Sequence, residues 1–307
     1  MIDLKPVPHV EAIAFLKGKP AVLRKTFDAM LPEIRARAFT IAHVENLKVL
    51  QDVRDRIAAL PAGANWDEVR KDVALRISPH LADSDDPADR EEQLASAFRR
   101  AELLLRTHGY QAYEAASYNA MQESVDAFPY WQYQTMEDGA VRPEHAALNG
   151  LVLPADSPFW RDHYPPWDWG CRCTVVALAP EDVDELRAAD ARRNPEDRLV
   201  LEGAQRRRLE EHGELVRGPI ALIDPNDPDR RRVTGKLPGG KFDVRSPREK
   251  GEHDPKSGAK RNVFSWEPGS MKMDVAQLRS RYDAPVWAAF ERSMRAAKLW
   301  AWVTGRN

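Results

Sequence analysis

Four side chains near the middle of the chain can share one chemistry. His145 in "RPEHAALNG", His163 in "RDHYPP", and Cys171 and Cys173 in "GCRC" offer two imidazoles and two thiols. Such an N₂S₂ donor set suits a tetrahedral zinc ion, whose borderline softness matches thiolate and imidazole. Cys171 and Cys173 are the chain's only cysteines, and alternate positions of an extended chain face the same side, so both thiols can reach one ion. Arg172 between them then projects the opposite way, free to pair with an acid. The one-residue gap is narrower than the roughly two to four residues of ordinary zinc-finger pairs. Two other readings fit the same residues. In one, both cysteines are small residues at the start of a buried strand and both histidines hydrogen-bond loop carbonyls. In the other, one thiol is a nucleophile activated by His163, which requires a lowered thiol pKa and a third group to orient the base. Glu137 and Asp138 need no acid–base role, because they fall in a tight-turn signal that accounts for them.

The elements that must position this set are legible as patterns. "YWQYQTMEDGAV", from Tyr130, alternates bulky and polar residues and then reaches Asp138-Gly139, which predicts a strand and a hairpin turn. A second β-favouring run, "TVVALA", covers 174–179. Between them a Pro- and Trp-rich loop runs from Arg142 to Gly170, with Trp160, Trp167 and Trp169 placed to pack around the donors. A loop of that length in a compact domain needs an anchor. A bound metal would supply one, since its binding free energy becomes folding free energy.

Upstream, apolar residues at helical spacing predict a long helix over 25–60, with Phe27, Leu31, Ile34, Ala38 and Ile41, then Leu50, Val53, Ile57 and Leu60, and a shift of the stripe between them. A helix from Trp66 to about Ile77 is broken by Ser78-Pro79. Another runs from Arg90 to about Phe128, with His108-Gly109 as a point of interruption. Residues 181–217 read as a solvated, Arg- and Glu-rich helical arm, and the chain closes with a helix from Asp283 to about Val303. Together these predict an α+β protein: an extended, predominantly helical region 1–127, a small β-containing core 128–180, a helical arm 181–218, and a basic, turn-rich C-terminal region 219–307 ending in a helix.

The composition, 43% apolar and 31% charged over 307 residues, is that of a globular chain with one large or two modest domains. Net charge is −2, yet residues 229–307 hold 18 Lys and Arg against 9 Asp and Glu. That asymmetry points to a polyanion or an acidic protein surface as partner. Arg230, Arg231, Arg232, Lys236 and Lys241 can contact phosphates without reading sequence. In the last helix Val286, Trp287, Phe290, Met294, Ala297 and Ala301 form one apolar stripe. Leu299 and Trp302 fall outside it, beside Arg292 and Arg295, in the make-up of an interface anchor or of a frayed end. The opening "MIDLKPVPHV" lacks the apolar core of a secretory signal. No stretch approaches the roughly 18 apolar residues of a membrane span. Two cysteines one residue apart cannot build a secreted disulfide framework. The expectation is folding in a cytoplasm.

The block "TMEDGAVRPEHAALNGLVLPADSPFWRDHYPPWDWGCRC", Thr135 to Cys173, holds in order Thr-x-x-Asp, Arg-Pro-x-His-x-x-Leu-x-Gly, an aromatic stretch, Tyr-Pro-Pro and Gly-Cys-Arg-Cys. "HVEAIAFLKGKPAVL" precedes it. In these features residues 9–178 resemble the phage Mu protein F-like head morphogenesis (minor head) proteins. The resemblance implies a low-copy, non-enzymatic component of a tailed-phage procapsid, sited at the portal vertex and assisting DNA packaging or delivery. It implies as partners the portal protein and other head or scaffold proteins; the basic residues of 219–307 add double-stranded DNA held non-specifically, and the Leu299 and Trp302 face adds the portal or a second copy of the chain. It places the protein in the virion and, during assembly, in the host bacterial cytoplasm. Similar proteins carry a toxin or enzyme domain after the shared block, so a nuclease-like effector in 219–307 is the alternative, supported by its basic charge and His253. Members of the family place Cys-x-x-Cys where this chain has "RPEH", so His145 stands at a thiol position, which supports structural zinc by analogy.

Overall fold

The computed structural model describes residues 9–81, 87–166, 170–216, 220–223, 232–235, 241–243 and 274–305. The chain forms two compact units, Met1–Ser117 with Gly251–Asn307, and Tyr118–Lys250. Among the described residues the architecture is α+β, helical with one three-stranded sheet and two short strand pairs. No described helix is long and apolar enough to cross a membrane.

The first unit begins with α1 (Val10–Gly18), α2 (Arg24–Asp28), α3 (Pro32–Arg35), α4 (Leu47–Ile57) and α5 (Trp66–Ile77). The single helix expected over 25–60 is therefore three. Its stripe identified burial correctly, since Phe27, Leu31, Ile34, Ala38 and Ile41 are all buried. Periodicity alone could not register the backbone breaks. Pro32 has no N–H to continue a helix from α2. Phe39 instead bridges Ala21, with Val22 N–H donating to Phe39 O. His43 takes a positive φ of 69°, and Asn46 then caps α4 by accepting from Lys48 N and Val49 N. For α5 the observed limits equal the predicted ones, because Asn65 caps its start and Ser78-Pro79 turns its end into a 3₁₀ segment.

α6 (Pro87–Glu123) passes through His108 and Gly109 without interruption. A Cβ added at Gly109 would meet nothing within 4 Å. Gly109→Ala is therefore expected to stabilise the protein by about 0.5–1 kcal/mol, through lower unfolded-chain entropy. The check is a rise in urea midpoint at unchanged m-value; a fall would mean that the helix needs glycine there.

The second unit holds the end of α6 and an antiparallel sheet of order β2-β1-β3, with β1 (Tyr130–Gln134), α7 (Pro143–Ala146), β2 (Val152–Pro154), α8 (Trp160–His163) and β3 (Thr174–Leu178) following in chain order. The long loop expected from Arg142 to Gly170 thus contains structure of its own. Nor does Asp138-Gly139 form a hairpin, because β1 pairs with β2 and β3 rather than with a strand directly after the turn. On β1, Trp131 and Tyr133 alternate inward, opposite Ala177 and Val175 of β3. Beneath them lies a core that includes Leu148, Leu151, Leu153, Phe159, Trp160 and Tyr164. Gly150 enters β2 with φ 75° and donates its N–H to Tyr133 O, while a Cβ there would lie 2.9 Å from Leu199 Cδ2.

The expected solvated arm is instead two packed helices, α9 (Pro180–Asp190) and α10 (Gly203–His212). Val183 and Leu209 are buried, and Asp190 accepts from Leu199 N and Val200 N at 2.8 Å each, which sets Val200 against Val152. β4 (Glu214–Val216), β5 (Ile220–Ile223), β6 (Arg232–Gly235) and β7 (Lys241–Asp243) follow, with β5 paired to β6 and β4 to β7.

Back in the first unit, α11 (Val275–Ser280), α12 (Ala284–Ala296) and α13 (Trp300–Thr304) close the chain. Tyr282 O–H donates to Glu33 at 2.8 Å, tying this segment to α3. The expected 283–303 helix breaks at Lys298, whose φ is 59°. The stripe survives at Trp287, Phe290 and Met294, but beyond the break Ala301 is exposed and Val303 is buried. Trp300 packs edge-on against Trp287, beneath the Arg295 guanidinium. Leu299 and Trp302 are half-buried.

Candidate metal centre

Three of the four predicted donors meet. His145 Nδ1 lies 3.5 Å from Cys171 Sγ and 3.7 Å from Cys173 Sγ. Their ligand atoms all fall within 4.8 Å of one another, and among the described residues no other His, Cys, Asp or Glu joins them. The sheet explains the convergence. Cys173 lies two residues before Val175 on the core-facing side of β3, and Cys171 two before that, so both thiols point inward. Arg172 points the other way and donates to Asp138 at 2.6 Å, which fixes the alternation. From the opposite side, Pro143 starts the short α7 that delivers His145.

The approach from 135 to 149 is held by its own polar side chains. Thr135 N–H donates to Asn149 Oδ1, Asn149 Nδ2 donates to Glu137, and Ala140 N–H donates to Asp138. Glu137 and Asp138 are thus loop anchors rather than hairpin residues.

His163 goes elsewhere. Its ring stacks on Phe159 at 4.3 Å and 4°, and its Nδ1 sits 3.1 Å from Phe159 O, one helical turn back. Tyr133, by contrast, enters the site: its hydroxyl lies 3.5 Å from His145 Nδ1. Its only sequence signal was the inward phase of a strand.

His145, Cys171 and Cys173 are 2%, 3% and 4% exposed. The two thiols are driven apart in pKa. Cys173 falls below the ordinary thiol value because Cys171 donates a hydrogen bond to it, aided by the Tyr133 hydroxyl and the charges of Arg172 and Arg142. Cys171 rises well above it, because its proton is held against Cys173 and burial disfavours its thiolate. The cleft beside them, lined by Met136, Val141, Arg142 and Gly170 among others, measures about 20 Å³. That is room for about one water.

Trp160 donates its indole N–H to Pro154 O at 2.9 Å and packs on Trp131. Trp167 and Trp169 lie outside the described residues, as do Arg230, Arg231, Lys236 and His253. Arg232 and Lys241 open β6 and β7, and their side chains lie outside too.

The sequence profile of "Phage Mu protein F like protein" matches residues 48–176, which contain His145, Cys171 and Cys173. The chain is 34% identical over 188 residues to the putative capsid assembly protein F of Escherichia phage Mu, an alignment covering 59% of this chain and 42% of that protein. It is 36% identical over 180 residues to the Mu-like prophage FluMu F protein of Haemophilus influenzae, covering 55% and 42%. An uncharacterized protein of Methanocaldococcus jannaschii is 31% identical over 93 residues, covering 29% and 15%. The chain spans less than half the length of the two F proteins that it matches. No solved structure matches.

Proposed function

Since this chain carries a phage Mu protein F-like region at residues 48–176, we propose that it takes part in building the head of a tailed phage or prophage. The observation that carries the proposal is its 34% identity to the putative capsid assembly protein F of phage Mu. The role proposed is that of a minor head protein at the portal vertex, retained in the virion, with the portal and other head proteins as partners. The site supports a structural rather than a catalytic task. Its distinctive residues are buried beside a cleft of about 20 Å³, and the acids nearby are engaged as loop anchors. The excess of 18 Lys and Arg over 9 Asp and Glu in 229–307 supports non-specific contact with packaged DNA as part of that task.

The test is a stop codon in the gene within an inducible lysogen. The expected result is a loss of DNA-filled heads, restored by a plasmid copy. Purified wild-type heads should contain the chain in low copy, together with the portal ring. Filled heads at wild-type yield, or heads that lack the chain, would overturn the proposal.

A further inference from the structure

We infer that His145, through Nδ1, and the thiolates of Cys171 and Cys173 bind one zinc ion, and that His163 is not a ligand. The inference is independent of the head role, since a zinc site and its absence are equally compatible with capsid assembly.

The two sulfur-to-nitrogen separations are those of a coordination tetrahedron. Zn–S bonds of about 2.3 Å and Zn–N bonds of about 2.0–2.1 Å at tetrahedral angles place sulfur and nitrogen about 3.5 Å apart. The two Sγ–Nδ1 separations are 3.5 and 3.7 Å. Hydrogen bonding accounts for this arrangement less well. An imidazole nitrogen presents one lone pair or one proton, whereas two sulfurs and the Tyr133 hydroxyl all converge on Nδ1. A cation on that lone pair draws both sulfurs to the same point and leaves the Tyr133 hydroxyl to support them from outside.

The framework is already set for it. The Arg172–Asp138 pair holds the middle residue outward, so the flanking thiols face α7 without rearrangement. Three protein donors leave a fourth position open, as in zinc sites that keep a bound water, and the adjoining cleft of about 20 Å³ has room for about one water. An N/S₂ set also favours zinc over magnesium or calcium, which take oxygen. The ion would join the start of α7 to the entry of β3, closing the intervening loop through its contacts with both ends.

The full chain, produced in zinc-supplemented medium and desalted, should carry about one zinc per chain by elemental mass spectrometry. Cys171→Ser and Cys173→Ser should each lower that content about tenfold or more at equal concentration. His163→Ala should leave it unchanged. His145→Asn keeps a polar group near Nδ1 but is a poor zinc ligand, so it should give folded, zinc-poor protein. Should the cysteine variants fail to fold, the cobalt-loaded native chain decides, through the thiolate-to-cobalt charge-transfer and d–d bands of a tetrahedral site. A zinc-free native chain lacking those cobalt bands overturns the inference. Folded His145→Asn with full zinc does so too. Loss of zinc in His163→Ala equal to that in Cys171→Ser would restore the four-ligand set and overturn the three-ligand one.

Discussion

Trp131→Ala is expected to destabilise the sheet-bearing unit by about 3–5 kcal/mol. Trp131 is fully buried on β1, the central strand of the sheet. Its ring meets Tyr118 edge-on at 5.3 Å, Tyr164 edge-on at 5.9 Å and Trp160 at 5.6 Å. Truncation removes three aromatic contacts and leaves a cavity that strand pairing on both sides prevents from closing. Trp131→Phe keeps a ring in the same direction and should cost clearly less. Denaturation followed by near-ultraviolet circular dichroism reads the aromatic cluster directly. A loss below about 1 kcal/mol for the alanine variant would place the core of this unit elsewhere. The His145, Cys171 and Cys173 cluster should respond as well, since Tyr133, whose hydroxyl lies 3.5 Å from His145 Nδ1, stands two residues along the same strand face.

That strand also shows what the sequence disclosed. Alternation from Tyr130 to Gln134 gave β1 and its inward face, because a period of two requires no knowledge of the partner strands. It could not give the pairing. Asp138-Gly139 carries the letters of a hairpin turn, but β1 is satisfied by β2 and β3, and Asp138 is occupied by Arg172. The limits of α5 were legible because Asn65 and Ser78-Pro79 mark them locally. The breaks between α2 and α4 were not, because a bridge from Phe39 back to Ala21 is a tertiary event beneath an unbroken apolar stripe. At the site, residue type and spacing singled out His145 and the cysteine pair. They also singled out His163, whose imidazole is taken by Phe159, a carbonyl and a ring one turn away. A histidine four residues after an aromatic on a short helix has that local alternative, and composition cannot distinguish it from a ligand.

The other large effect belongs to the first unit and to pH. Lys19, the residue after α1, is fully buried. Its ammonium nitrogen lies 2.5 Å from Gln111 Oε1, 3.4 Å from His108 Nδ1 and 4.7 Å from the centre of the Phe15 ring. No carboxylate stands among these neighbours. Burial, and then the charge of Arg37, pull its pKa well below 10.5. His108 is likewise pulled well below 6.5, by burial and then by Lys19. In both cases the unfolded chain holds the proton more tightly than the folded one. Unfolding therefore takes up protons, and stability rises with pH between each group's lowered folded value and its unfolded value. Across the Lys19 window, which ends near 10.5, the slope approaches about 1.4 kcal/mol per pH unit for one proton. The His108 window lies below 6.5, so the same unit should lose stability as pH falls through it. Lys19→Met keeps the length of the side chain without the charge, and the Arg54 bond to the Lys19 carbonyl, at 2.8 Å, is untouched. The native chain should therefore gain more stability than Lys19→Met between neutral pH and about pH 10, because the contributions of Cys171 and Cys173 are common to both and only the Lys19 contribution differs. The variant should also titrate His108 closer to its ordinary value, because the neighbouring positive charge is gone. Urea-unfolding free energies of the two proteins, measured side by side across that range, provide the check. Parallel profiles would mean that Lys19 keeps its ordinary proton affinity in the fold, and that the pocket around it admits water.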